Sequence, residues 1–467
     1  MTDYKIILSI ISFLLLFLLP RQMKSQNEVI IGEVTPSLLT DDHTAEGFLV
    51  TLSSGRIIHF FRLEEGIFSN HIGNGGKIVK RYSDDNGATW SENILVYDDE
   101  YDDRNVHGGR LESDRIVLFF RRFDANFATH VDMNFIYSDD GGETWSTREV
   151  INTEGISCGT HTLNYVPGKG YMNIFMQRFY IELRFSEDGS NWDSIAHIWD
   201  YRENQEFPIG EVSLAYVGDG KIIGLIRDIS EEPKNFMQFV SEDYGETWTD
   251  PRLTNIADTF YCVSPLNFFD PEKNELFSIA TDRRGAYYFE LSNFDSKVWI
   301  YKNKPDEIFN QPLNYNLVGK IDRPVINSYR FYGYPTATKM ANGKYLVIFT
   351  ESFRRPNFNE NADFYQFIIE WDETTTVEQK EISNSKSWPV PFSDLLNLEF
   401  NLPGIKSGQD INLIITDIYG KTVYSNKYKN SDFNSITIST EAFEPGIYFY
   451  SITAPGVNLN EKIICIR

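Results

Sequence analysis

Six times between residues 55 and 351 a polar turn gives way to an apolar run that usually ends in arginine. The runs are Gly55 to Arg62 (GRIIHFFR), Asp114 to Arg122 (DRIVLFFRR), Gly170 to Arg178 (GYMNIFMQR), Gly220 to Arg227 (GKIIGLIR), Glu275 to Arg284 (ELFSIATDRR) and Gly343 to Glu351 (GKYLVIFTE). Short apolar runs bounded by turn residues, rich in β-branched and aromatic side chains, predict strands. Six repeats predict six sheets. The gap before the last run is the longest, so residues 300–330 are read as a long insertion, with a seventh sheet as the alternative. Val29 to Ile31 is read as a strand closing against the last sheet.

A second pattern lies between these runs. Tyr82 to Trp90 (YSDDNGATW), Tyr137 to Trp145 (YSDDGGETW), Phe185 to Trp192 (FSEDGSNW) and Val240 to Trp248 (VSEDYGETW) repeat one motif, and Ser292 to Trp299 is read as a worn fifth copy. The Asp side chain can accept from turn amides, the glycine supplies a positive φ, and the tryptophan packs beneath the turn. The serines stand at 83, 138, 186 and 241, so the intervals are 55, 48 and 55 residues. That period is the length of one four-stranded blade with its loops. The fold class is therefore all-β, a six-bladed propeller over residues 27–383, with seven blades as the alternative. The motif is the Asp box, and the chain here resembles the sialidase-like β-propellers. Asp boxes accompany several activities, so the resemblance implies a fold.

The two ends have a different character. Met1 to about Ser25 reads as a secretory signal, with Lys5, a fourteen-residue and mostly apolar run from Ile6 to Leu19, and polar Arg21 to Gln26. No transmembrane segment is expected in the mature chain. After the polar stretch 372–386, residues 384–467 alternate like the strands of a small β-sandwich (LIITDIYGKTV from Leu413, EPGIYFY from Glu444, EKIICIR from Glu461). This segment closely resembles the C-terminal sorting domain of the type IX secretion system of Bacteroidetes. The resemblance implies passage through the outer membrane, the secretion machinery as a partner, and a secreted or surface-attached product.

Composition narrows the partners. At 41% apolar and 15% aromatic the chain can bury a large core, and 43 basic against 67 acidic residues give a net charge of −24. That argues against nucleic acid and anionic membranes as general partners, while a few arginines focused in one cleft still allow an acidic polysaccharide. Cys158, Cys262 and Cys465 are odd in number and far apart, and are read as free thiols.

One hairpin upstream of each arginine-ended strand stand Glu46, His107, His161, Glu211, Cys262 and Tyr334, with Glu46 to Arg62 and Glu211 to Arg227 each 16 residues apart. They are expected to gather on one rim of the channel, as a site that binds and alters an acidic ligand. The sialidase resemblance implies roles for three parts. Glu211 with Arg227 resembles the helper glutamate and second arginine, Tyr334 the nucleophile, and Arg283 or Arg284 the third arginine. The first arginine is replaced by His43-Thr-Ala-Glu-Gly47, and the acid Asp expected after Arg62 is not evident in Asn70-His-Ile-Gly-Asn-Gly-Gly76.

Histidine takes the place of these missing groups. His107 lies in Arg104-Asn-Val-His-Gly-Gly-Arg110, His130 follows in the same repeat, and His161 opens the next, which ends in Arg178. This set resembles the β-propeller ulvan lyases, where a His pair acts with a Tyr and an Arg on a uronic acid. β-Elimination needs a cation on the carboxylate and two proton-transferring groups. The expected catalytic residues are His107, His130 and His161 with Tyr334 or Tyr180, Tyr165 being a further source of the phenol. Arg178, Arg227, Glu211 and Arg122 are the expected substrate-binding residues. Arg62 and Arg122 have a structural reading too, pairing with Asp-box acids, and Glu211 with Arg227 has one as an ion pair. No tight histidine spacing supports a metal site, so no cofactor is expected and a metal ion is the minor alternative. The reading is a secreted polysaccharide lyase acting on a uronate-containing, ulvan-like polymer. A sialidase-like glycoside hydrolase and a non-catalytic glycan-binding propeller are the alternatives.

Overall fold

The computed structural model describes residues 29–66, 71–152, 155–158, 163–177, 180–192, 194–200, 209–228, 235–257, 262–282, 297–322, 330–354, 360–372, 386–388, 391–399, 409–429, 435–454 and 457–466. The chain divides into two compact bodies, Val29–Trp371 and one that includes Asp372–Arg467.

In the larger body the chain runs up and down through antiparallel four-stranded blades. The first blade comprises His43–Thr51, Ile57–Glu64, Gly76–Ser83 and Ile94–Tyr97, and the second Asp102–Arg110, Ile116–Asp124, Thr129–Ser138 and Glu149–Asn152. In the third, Gly155–Cys158 and Asn164–Val166 share the first-strand place beside Gly170–Gln177, Tyr180–Ser186 and Ser194–Asp200. The fourth runs from Ile209–Gly218 to Arg252–Leu253, the fifth from Cys262–Asp270 to Leu317–Asp322, and the sixth holds Arg330–Lys339, Tyr345–Arg354 and Glu360–Trp371. The first strands of successive blades touch one another in turn, and that of the sixth touches that of the first. Val29–Ile31 and Thr35–Leu38 pair antiparallel with Glu360–Trp371, so the N-terminal strands close the last blade as expected.

The apolar runs have a physical explanation in the six hydrophobic clusters of this body, each filling the gap between two neighbouring blades. Phe60 faces the second blade and Phe61 the sixth; Phe119 faces the third blade and Phe120 the first. A strand with apolar neighbours on both sides needs apolar residues at every position, which removes the two-residue alternation.

Four Asp boxes form the turns after the third strands, all built alike. Ser138 Oγ donates to Asp140 Oδ1 at 2.8 Å, while Asp140 accepts from the Thr144 amide at 2.9 Å and its hydroxyl at 2.6 Å. The boxes also join blades: Trp145 meets Phe60 edge-on at 5.6 Å, and Trp90 Nε1 donates to Gln366 Oε1 at 3.1 Å. The worn fifth copy is corrected in part. Ser292 lies outside the described residues, and Trp299 sits within Lys297–Asn303, 4% exposed in the core. The stretch from 300 to 322 supplies a helical turn at Pro305–Ile308 and the fourth strand of the fifth blade.

The second body holds two sheets, Lys386–Trp388/Leu395–Glu399/Ser435–Ser439 and Thr422–Lys429/Asp410–Asp417/Gly446–Ala454/Val457–Cys465, around a core that includes Phe392, Leu413, Ile438, Tyr450 and Ile463. Cys465 is buried there. No helix among the described residues is long and apolar enough to cross a membrane. The signal-like segment lies outside the described residues.

Candidate functional site

First strands begin, and second strands end, at one mouth of the channel. Near that mouth the pairing of first and second strands slips in five blades, between Ala45 and Gly47, Arg104 and His107, Ile209 and Val212, Val263 and Leu266, and Gly333 and Thr336. Four of these bulges hold a non-glycine residue in the left-handed region: Glu46 at φ 51°, Asn105 at 54°, Ser264 at 50° and Tyr334 at 49°. Each such backbone costs on the order of 1 kcal/mol and turns its side chain out of the strand's alternation. Of the four, Asn105 and Tyr334 are partly exposed, while Glu46 and Ser264 are buried.

Between the sixth, first and second blades these side chains join a continuous network. Arg62, fully buried, donates from Nε to Asp102 Oδ1 at 2.6 Å and from Nη2 to Glu64 Oε2 at 2.8 Å, with His43 Nδ1 3.3 Å from Nη1. Burial alone would lower the Arg62 pKa, but Asp102, Glu64 and Glu46 outweigh it and raise it. Arg104 reaches Glu46 Oε1 at 3.3 Å, Asp102 Oδ2 at 3.4 Å and His71 Nε2 at 3.3 Å. Glu46 also accepts from the Asn105 amide. His71 lies 5.2 Å from His43 and 6.3 Å from Tyr334, ring centre to ring centre, its plane within 23° of the phenol's. Gly76 makes room for the central pair, since a Cβ there would stand 2.0 Å from Asp102 Oδ1.

The residues expected from the sequence fall into three groups. Tyr334 is at the mouth, and Glu211 holds Arg227 Nη1 with both oxygens at 3.0 Å on the fourth blade. His161, Arg178, Arg283 and Arg284 lie outside the described residues. The others stand elsewhere. His107 is corrected from rim to core: it is 2% exposed, its ring lies 5.1 Å from Phe119, and Asn173 Nδ2 is 3.1 Å from its Nε2. It sits two residues beyond the bulged Asn105, where strand alternation turns it into the gap between the second and third blades. Arg122 is tied to Asp132 at 2.8 and 2.6 Å and to Asp99 at 3.0 Å, which saturates it for substrate. Arg62 pairs with Asp102 rather than with an Asp-box acid; Arg56 and Arg115 do that, with Asp84 and Asp139. Tyr180 packs against His197 at 4.9 Å, on the third blade's outer half, and Tyr165 is exposed beside Tyr171. Both ring nitrogens of His130 are buried without a hydrogen bond among the described residues, and burial, then Arg121, lowers its pKa to about 4.

His43, His71, Asp102 and Arg104 were not singled out by the sequence reading. One signal was available for the second blade. Glu46 precedes Arg62 by 16 residues, and Glu211 precedes Arg227 by 16; counting 16 back from Arg121, the residue in register with Arg62, gives Asn105 and so places Arg104 beside it. Among the described residues no group of His, Cys, Asp and Glu is arranged to hold a metal ion.

Comparison with known proteins agrees with this architecture. BNR/Asp-box repeats match at 81–92 and 136–147, and a secretion system C-terminal sorting domain matches at 386–466. No curated protein matches the chain in sequence. Among solved structures, a protein of unknown function from Dyadobacter fermentans shares 15% identity over 73% of this chain and 99% of its own, with a TM-score of 0.58. The phage phi92 endosialidase shares 12% over 96% and 92% (TM-score 0.52). A variant of the NanB sialidase from Streptococcus pneumoniae shares 13% over 72% and 70% (TM-score 0.51). Residues 29–371 thus form a sialidase-like Asp-box β-propeller. The chain also carries a type IX sorting domain and is exported to the cell surface or beyond.

Proposed function

We propose that the propeller cleaves glycosidic bonds of an extracellular polysaccharide at the channel mouth, by hydrolysis. The observation that carries this reading is Tyr334, held at φ 49° in a bulge beside a mouth where Glu46, Glu64 and Asp102 outnumber Arg62 and Arg104. Glycoside hydrolysis builds positive charge on the sugar ring, which an excess of carboxylates stabilises. Elimination from a uronate instead needs an uncompensated cation at the substrate carboxylate, and both of these arginines are engaged by acids. The sialidases among the structural neighbours support a glycan-acting enzyme by analogy of fold.

A uronate-specific lyase is the second reading, favoured by the combination of a phenol, an imidazole and an arginine at one mouth. The test is product analysis of the full-length exported protein with neutral, uronate-containing and sulfated polysaccharides and sialosides. Fragments heavier by one water support hydrolysis; an ultraviolet-absorbing unsaturated end supports elimination. In either case Tyr334→Phe should lower turnover at least about a hundredfold. Glycan binding with no product from any of these would leave a binding propeller.

A further inference from the structure

The sialidase resemblance implies an acid after Arg62 that the sequence lacks, and His71 occupies that loop. We propose that His71 is the proton-donating catalytic residue of this site, the imidazolium taking the place of a carboxylic acid. This inference rests on the glycosidase reading above and deepens it.

Three observations carry it. First, His71 is partly exposed and its ring lies nearly parallel to Tyr334, 6.3 Å away, so a group bound at the phenol is within reach of the imidazole. Second, among the described residues the ionic groups behind it do not balance. Glu46, Glu64 and Asp102 supply three negative charges and Arg62 and Arg104 two positive ones, all linked by contacts of 2.6 to 3.4 Å. One proton on the nearby histidines makes the cluster neutral. Third, the two histidines differ in what that proton costs. Each has a ring nitrogen 3.3 Å from an arginine that can only donate, His43 Nδ1 at Arg62 Nη1 and His71 Nε2 at Arg104 Nη2, but His43 is fully buried whereas His71 is partly exposed. Two imidazoliums with centres 5.2 Å apart and flanked by two guanidiniums would repel, so one histidine is charged at a time, and partly exposed His71 is charged at the lower desolvation cost.

Among the described residues the groups facing His71 include His43, Arg104 and Tyr334, with Glu46 and Asp102 held through Arg104 and Arg62 held behind His43. In the neutral form Nε2 accepts from Arg104 and the hydrogen sits on Nδ1. Adding a proton breaks that contact, and Arg104 keeps its bonds to Glu46 and Asp102. In the reaction His71 gives this proton to the glycosidic oxygen as the carbon–oxygen bond breaks and the bonding pair leaves with the oxygen. Water then adds to the electron-deficient carbon, and its spare proton restores His71. Atoms and charge balance without a further reactant.

The experiment has two parts. In the intact protein, imidazole labelling and nuclear magnetic resonance should show His71 titrating between about pH 5 and 8; a ring that keeps one charge state from pH 4 to 9 overturns the proposal. With glycosides whose leaving groups differ in acidity, His71→Ala should lose at least about a hundredfold in kcat on poor leaving groups, far less on an activated aryl glycoside, and should lose the alkaline limb of the pH profile. His71→Gln, which keeps the hydrogen-bonding shape, should behave like His71→Ala. A uniform loss across leaving groups, with the pH profile unchanged, would mean His71 only positions the mouth. The glycosidase reading fails separately: if Tyr334→Phe keeps full turnover, the reaction lies elsewhere whatever His71 does.

Discussion

Asp103 offers a test of the mouth's electrostatics that needs no substrate. It is fully buried, one oxygen accepts from the Asp99 amide at 3.3 Å, and the other has no partner among the described residues. Arg122 stands opposite it in register, but its guanidinium is spent on Asp132 and Asp99. Burial first, then the charges of Asp99, Asp102 and Asp98, push the Asp103 carboxyl up to about 9, from an ordinary 3.8. The folded protein therefore keeps a proton there that the unfolded chain has released. Its stability should fall as pH rises between about 4 and 9, by up to about 1.4 kcal/mol per unit, with a ceiling of about 4 kcal/mol at pH 7. Asp103→Asn mimics the protonated group and removes this slope. Urea unfolding of both proteins at pH 5, 6, 7 and 8 should show the variant gaining on the parent at each step. Parallel curves, or a variant that loses ground as pH rises, would refute the assignment.

Other substitutions probe neighbouring parts of the same argument. Arg62→Met leaves Asp102 of the second blade and Glu64 of the first without their main partner, and should cost about 3 kcal/mol in chemical unfolding, at the lower end for a broken buried pair because Arg104 remains 3.4 Å from Asp102. Exchanging both Arg62 and Asp102 for apolar residues should cost less than Arg62→Met alone. Asp140→Ala removes the acceptor of the Glu143 and Thr144 amides and should cost about 1 kcal/mol, low because the turn is solvent-exposed. Thr144's hydroxyl and amide, then Ser138 and the Glu143 amide, hold the Asp140 carboxyl down to about 2 against burial. The turn's contribution is thus present above pH 4 and fades as pH falls through about 2, so parent and variant should converge in acid.

The site was less legible than the fold because its parts are separated along the chain. Tyr334 and the Glu211–Arg227 pair were visible, since each sits at a fixed offset from an apolar run. His107 looked equally well placed, with arginines and glycines around it, but a bulge two residues earlier shifts the alternation and sends it into the core against Phe119. Nothing local marks His71, whose neighbours His43, Arg104 and Tyr334 come from three different blades. Arg62 and Asp102 are 40 residues apart, and no short-range rule links them.

By itself the sequence determined the all-β class, the blade period, the closing strand and the sorting domain, because turn chemistry and two-sided burial act over a few residues and repeat. Tertiary structure alone decided which rim arginines are neutralised, which histidine meets Tyr334 and which is buried. Those outcomes depend on where bulges break the two-residue alternation and on charges brought together across the channel, and neither is a property of any one segment.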